Sequence, residues 1–105
     1  MTITMKHAAD TLVVTLSGRL DTTTSPQLEK ALQENLNGIH AITFDFADIE
    51  YISSAGLRVL LSAQKRMNAD GGAIKLIHVN ETVMEVFDIT GFTDITPIFI
   101  QNCQD

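Results

Sequence analysis

Two adjacent serines, Ser53 and Ser54, stand between an alternating apolar segment, Ile42–Phe46, and a segment whose leucines recur at helical spacing. A serine at the start of a helix can accept hydrogen bonds from the free N–H groups of the first turn, so either residue is a candidate N-cap. The same position lies beside the positive end of the helix dipole, where a phosphate group is well tolerated. Spacing alone therefore allows a capping serine, which is the commoner case, or a serine that is modified.

Other groups that could support catalysis or metal binding are scattered along the chain. The three histidines lie far apart, and Cys103, the single cysteine, cannot complete a zinc site. The nucleophile motif Gly-x-Ser-x-Gly is absent because Ile52 stands two residues before Ser54. Gly71-Gly72 follows a helical pattern, whereas a phosphate-binding glycine loop precedes one. We therefore expect neither enzyme activity, nor a cofactor, nor a metal site in this chain.

Length and charge restrict the function further. The 105 residues are expected to form one domain, residues 1–105, without the need for a disulfide. The net charge of −6 and the pI near 4.8 argue against nucleic acid and against an anionic membrane surface as partners. No apolar run reaches membrane-spanning length, and the N-terminus lacks a basic-then-apolar signal, so we expect a cytoplasmic protein.

The hydrophobic pattern predicts an α/β fold that begins with a hairpin and continues with alternating helices and strands. Polar Thr43 and Asp45 alternate with apolar residues in the third strand, so we expect a mixed, mostly parallel sheet with the helices packed mainly on one face. Gly18 is expected to end the second strand. The expected strands are Met1–Lys6, Leu12–Leu16, Ala41–Phe46, Ile74–Val79 and a last strand near Ile98, and the expected helices begin near Pro26, Ser54 and Glu81.

Two blocks of sequence, Gly18–Thr22 and Phe44–Leu57, together resemble the STAS domain. This is the family of bacterial anti-sigma-factor antagonists, and it is also found at the end of sulfate transporters. The resemblance covers the chain from the first strand to Ile100. In the antagonist branch, a serine at the position of Ser54 is phosphorylated by a partner anti-sigma factor. The sequence departs from the family pattern at Ser53, where many antagonists carry an aspartate.

The resemblance implies a phosphorylation-switched antagonist with Ser54 as the phosphoacceptor. The unphosphorylated form would bind an anti-sigma factor that is also a serine kinase, which would release the sigma factor, and a serine/threonine phosphatase would reset the switch. Asp21 would help to present the serine to the kinase, although it could also cap the first helix. The implied partner-binding surface consists of Asp21, Thr22, Thr23, Ser53, Ser54, Ala55, Gly56 and Arg58.

Two other functions stay compatible with the same residues. One is an adaptor subunit of a lipid-transport or stress-signalling complex, in which Ser54 only caps a helix. The other is a STAS module that binds a small ligand at the loop before the helix.

Overall fold

The structure, a computed structural model, describes residues 2–69, 71–91 and 99–102. The described residues form five strands, β1 (Thr2–Ala8), β2 (Thr11–Leu20), β3 (Ala41–Ile52), β4 (Ala73–Val79) and β5 (Phe99–Asn102). They also form three helices, α1 (Ser25–Asn35), α2 (Ser54–Ala69) and α3 (Glu81–Thr90). The strands form one sheet in the order β1-β2-β3-β4-β5, in which β1 is antiparallel to β2 and the other pairs are parallel. The predicted mixed sheet with an N-terminal hairpin is confirmed.

One face of the sheet is covered by helices and the other is open. In β2, Leu12, Val14 and Leu16 are buried, whereas the residues between them are only half-buried. β3 shows the same alternation as far as Phe46, and in β4 the buried Ile74 and Leu76 alternate with exposed residues. The strands from β2 to β5 follow one another in space as they do in sequence. Because crossover connections between parallel strands are right-handed, all three helices lie on the same face. This arrangement confirms the prediction of helices on one face.

Two strands are longer than the sequence pattern predicts. Gly18 does not end β2, as expected, but lies within it at a φ of 96°, next to a shift in register with β3. The extra residues at this shift lie in β3, and glycine tolerates a positive φ, so Gly18 fits a continuing β2 as well as its end. In β3, the buried residues after Phe46 are Ile49 and Ile52, at a spacing of three that does not resemble a strand.

The helix limits agree with the expected positions. The Asn80 side chain accepts a hydrogen bond from the Val83 N–H and caps α3, and Gly91 ends that helix in the left-handed conformation. Leu60 and Phe87 have no exposed surface and Leu61 is partly buried, so the apolar faces of α2 and α3 pack into the core. The last strand begins at Phe99, and the expected residue Ile98 lies outside the described part of the chain. None of the helices that the structure describes is long and apolar enough to cross a membrane.

Candidate functional site

The two sequence blocks meet at the carboxyl ends of β2 and β3. Leu20 and Ile52, the last residues of these strands, are register partners, and the Ser53 N–H donates to the Leu20 carbonyl oxygen at 2.9 Å. Because the strands are parallel and adjacent, the chain leaves both of them at the same edge of the sheet. The connection Asp21–Thr24, hereafter the β2–α1 loop, therefore lies beside the start of α2.

Ser53 and Ser54 have different surroundings. Ser54 is the first residue of α2 and is exposed, and its side chain forms no hydrogen bond with a residue that the structure describes. The Ser53 hydroxyl is buried and has no hydrogen-bond partner among the residues that the structure describes. The interpretation of either serine as the N-cap of α2 is therefore not supported by a hydrogen bond.

The first turn of α2 combines buried and exposed residues of the expected partner-binding surface. Gly56 is buried, and a Cβ added there would lie 2.7 Å from Leu20 Cγ and 2.8 Å from Ile52 Cγ1. Because glycine has no side chain, α2 can lie close to the ends of β2 and β3. Gly56 thus packs inside the domain and adds no exposed side-chain surface, whereas Ala55 is half-buried and Arg58 is exposed.

Asp21 holds the β2–α1 loop together. Its Oδ1 accepts hydrogen bonds from the backbone N–H groups of Thr23 at 3.0 Å and Thr24 at 3.1 Å. The Thr24 hydroxyl in turn accepts from the Asp21 N–H at 2.9 Å, which gives the reciprocal pattern of a capping box. The hydrogen bond from the Thr24 N–H is the main reason that the pKa of Asp21 lies below its ordinary value, and the Arg19 charge acts in the same direction.

These hydrogen bonds hold the turn before α1, whereas the N-cap residue of that helix is Thr24, which makes no side-chain capping hydrogen bond. Thr24 is half-buried and was not among the expected site residues. Thr22 and Thr23 are exposed at the tip of the same loop. All the expected surface residues therefore lie at one end of the sheet, and all except Gly56 are at least partly exposed.

A cavity of about 380 Å³ lies between the starts of α1 and α2. Three of the expected surface residues, Thr22, Ala55 and Arg58, line it. The remaining lining residues are Ser25, Pro26, Glu29, Val59 and Ser62. It thus connects the β2–α1 loop with the exposed side of α2.

Two exposed residues of the strand ends extend this surface beyond the expected set. Arg19 and Tyr51 are register partners, and the Arg19 guanidinium carbon lies 5.2 Å from the centre of the Tyr51 ring. Arg19 also lies 3.8 Å from the Asp21 carboxylate. Tyrosine and arginine are enriched where proteins bind one another, so an exposed pair of this kind was a usable sequence signal.

The described residues contain no cluster of His, Cys, Asp and Glu side chains that could hold a metal ion. His78, on β4, instead lies with its Nδ1 2.9 Å from the Asp45 carboxylate on β3. The arrangement at the ends of β2 and β3 is thus an exposed hydroxyl beside a hydrogen-bonded loop, an arginine and a cavity.

Comparison with known proteins defines the family. The family model of the STAS domain matches residues 2–102. The Bordetella bronchiseptica protein BtrV is 34% identical over 99 residues, which are 93% of this chain and 85% of BtrV. The anti-sigma F factor antagonist of Paenibacillus polymyxa is 31% identical over 99 residues, with 92% and 85% of the two chains covered.

A solved structure with the same fold is the Bacillus cell fate determinant SpoIIAA in its phosphorylated form. It superposes with a TM-score of 0.75 at 19% identity and covers 98% of this chain and 93% of its own. The same family is indicated by the mixed sheet with helices on one face, by the matched family model and by these relatives. The chain belongs to the STAS domain family.

Proposed function

We propose that this chain is an anti-sigma factor antagonist that is switched by phosphorylation of Ser54. The unphosphorylated form binds an anti-sigma factor with serine kinase activity, and the sigma factor is released. The observation that carries this proposal is the exposed Ser54 hydroxyl, which starts α2 and forms no hydrogen bond within the described residues. A kinase can reach it without unfolding the domain. The antagonist from Paenibacillus polymyxa and the phosphorylated SpoIIAA structure support the same function.

The physical basis of the switch is the charge that phosphorylation adds. A phosphate carries about −1.5 to −2 charges at pH 7, in place of a neutral hydroxyl. Asp21 lies on the neighbouring loop, and Asp48 and Glu50 are exposed on β3. A partner surface that fits these carboxylates and a neutral serine must desolvate an additional anion after phosphorylation. Like charges in an interface cost several kcal/mol, so binding weakens without a change of fold.

The remaining components of the cycle belong to other proteins. ATP and its metal ion bind to the kinase, and a serine/threonine phosphatase restores the free hydroxyl. This function places the chain in the cytoplasm, where the sigma factor acts. We expect no hydrolase activity from the purified chain.

An experiment on three variants tests the proposal. Each variant is titrated against the anti-sigma factor in the presence of ADP, then incubated with ATP, and the phosphorylated residue is mapped by mass spectrometry. Ser54→Ala should bind like the wild type and stay bound in ATP, because it cannot be phosphorylated. Ser54→Asp adds a charge at the same place and should bind at least about tenfold more weakly, a difference of about 1.4 kcal/mol.

Ser53→Ala is the matched control, because Ser53 is the adjacent serine but its hydroxyl is buried. It should be phosphorylated at Ser54 at close to the wild-type rate. Phosphate on Ser53, or equal affinities of Ser54→Asp and the wild type, would contradict the proposal. An adaptor function in a lipid-transport or stress-signalling complex, or a small ligand in the cavity beside Arg58, would then explain the domain better.

A further inference from the structure

The start of α2 lacks the groups that normally balance the positive end of a helix. Its first turn contains no acidic residue, although the chain has 13 aspartates and glutamates. The first N–H groups of a helix have no acceptor within the helix, and neither serine hydroxyl accepts from them. In α3, by contrast, the Asn80 side chain caps the first turn and Glu81 follows it. The start of α2 is therefore electropositive, and neither of its serine hydroxyls accepts from its first N–H groups.

A cation also lies close to this helix end, where it is electrostatically unfavourable. Arg58 is four residues after Ser54, so the two residues occupy the same face of α2 in successive turns. Helical side chains lean towards the N-terminus of their helix, which directs a long side chain at this position back over Ser54. An arginine near the positive end of a helix dipole destabilises the helix unless an anion is present.

The surroundings of Arg58 leave its guanidinium available for such an anion. It is exposed and forms no ion pair with any residue in the described part of the chain. Ser54 is exposed and does not line the cavity, so a phosphate on it has room on the solvent side of the first turn, while Arg58 and the neighbouring Ala55 line the cavity beside that turn. The carboxylate that also lines this cavity belongs to Glu29, and the Asp21 carboxylate is engaged by its own loop. The buried Ser53 hydroxyl, which lacks a partner, is a further unsatisfied group at the same place.

We propose that the Arg58 guanidinium binds the phosphate on Ser54 within the same chain and is thereby withdrawn from the partner-binding surface. Arginine suits this role because its planar group donates two parallel hydrogen bonds to phosphate oxygens. This inference rests on the proposed function, since it takes Ser54 to be the phosphorylated residue. It adds a second cause of release: the partner meets a new anion and at the same time loses a cation that it could bind.

The test uses the full chain with phosphoserine incorporated at position 54 during synthesis, so that no kinase is needed. The second ionisation of the phosphate, near pH 6, is followed by phosphorus NMR. Arg58 favours the dianion, so Arg58→Gln should raise the titration midpoint by about 0.3 pH unit, the size expected of a helical charge pair. Arg66→Gln removes an arginine about three turns beyond Ser54 along α2 and should leave the midpoint unchanged.

A second readout uses the unsubstituted chain and does not depend on the folding of a variant. The Nε–H resonance of Arg58 should shift when Ser54 is replaced by phosphoserine, and that of Arg66 should not. Arg58→Lys should retain part of the midpoint effect, because lysine keeps the charge but not the paired donors. Equal midpoints for the wild type and Arg58→Gln, or an unchanged Arg58 resonance, would overturn the inference. If no anti-sigma factor phosphorylates Ser54, the proposed function fails, but both measurements still decide this inference.

Discussion

The carboxylate of Asp21 and the hydroxyl of Ser54 lie at neighbouring strand ends but have opposite hydrogen-bonding states. Asp21 accepts hydrogen bonds from two backbone N–H groups of its own loop, whereas the Ser54 side chain has no hydrogen-bond partner among the described residues. The resemblance to a family suggested both residues, and capping rules suggested a structural role for each. Spacing could not decide between these roles, because a cap depends on φ and ψ angles that the sequence does not state.

Substitution of Asp21 should therefore reduce stability in a pH-dependent way. Asp21→Asn keeps one acceptor oxygen but loses the charge, and Asp21→Ala loses the acceptor as well as the charge. The wild type should therefore be the most stable, Asp21→Asn intermediate and Asp21→Ala the least stable. The pKa of Asp21 is lower in the folded chain than its ordinary value of 3.8. The part of the stability difference that depends on the Asp21 charge should thus be fully present above the ordinary pKa. It should disappear as the pH falls through the lower pKa of the folded chain.

Urea unfolding of the three proteins at a series of pH values measures this effect. The advantage of the wild type over Asp21→Asn is the relevant quantity, because these side chains have the same shape. An advantage that stays constant from neutral to strongly acidic pH would show that the charge of Asp21 does not stabilise the loop.

Strands β2 and β3 show which features of an element the sequence conceals. The alternation of Leu12, Val14 and Leu16 predicts the regular part of β2, but the strand continues to Leu20, past Gly18, where its register with β3 shifts. The extra residues at these shifts lie in β3 and change which of its side chains face the core, so Phe46, Ile49 and Ile52 are buried at intervals of three. The period-two pattern therefore ends before the strand does. The candidate site depends on this extension, because the register pair at the strand ends joins its two halves.

The packing of α2 against these strand ends predicts the effect of Gly56→Ala. In a helix without close neighbours, this change would stabilise by up to about 1 kcal/mol. Here the new Cβ would lie 2.7 Å from Leu20 Cγ, so we expect a destabilisation of about 1–3 kcal/mol. Urea unfolding gives the sign directly. In the double variant Leu20→Ala/Gly56→Ala the contact with Leu20 is absent and only the one with Ile52 Cγ1 at 2.8 Å remains, so its cost should be smaller than the sum of the two single costs.

At the scale of the whole molecule, the site lies outside the hydrophobic core. The buried side chains form one cluster between the sheet and the three helices, which includes Phe44, Phe46 and Phe87. Alternating and helical patterns predict this core well, because burial of apolar side chains sets both periods. The sequence identifies the loops at the strand ends as connections, but their approach to one another follows from strand order and register, which are long-range properties.

This separation of core and site predicts that phosphorylation leaves the fold unchanged. Ser54 is exposed, and the backbone hydrogen bonds of the parallel pairs β2–β3 and β3–β4 do not involve its side chain. In the chain carrying phosphoserine at position 54, amide chemical shifts should therefore change at Asp21–Ser25 and Ser53–Arg58 and stay nearly constant elsewhere. Hydrogen-exchange protection of the central strands should be the same in both forms, because it reports the free energy of opening the core. Loss of protection in β4 or α3 on phosphorylation would mean that the switch acts through a rearrangement of the domain and not through local charge.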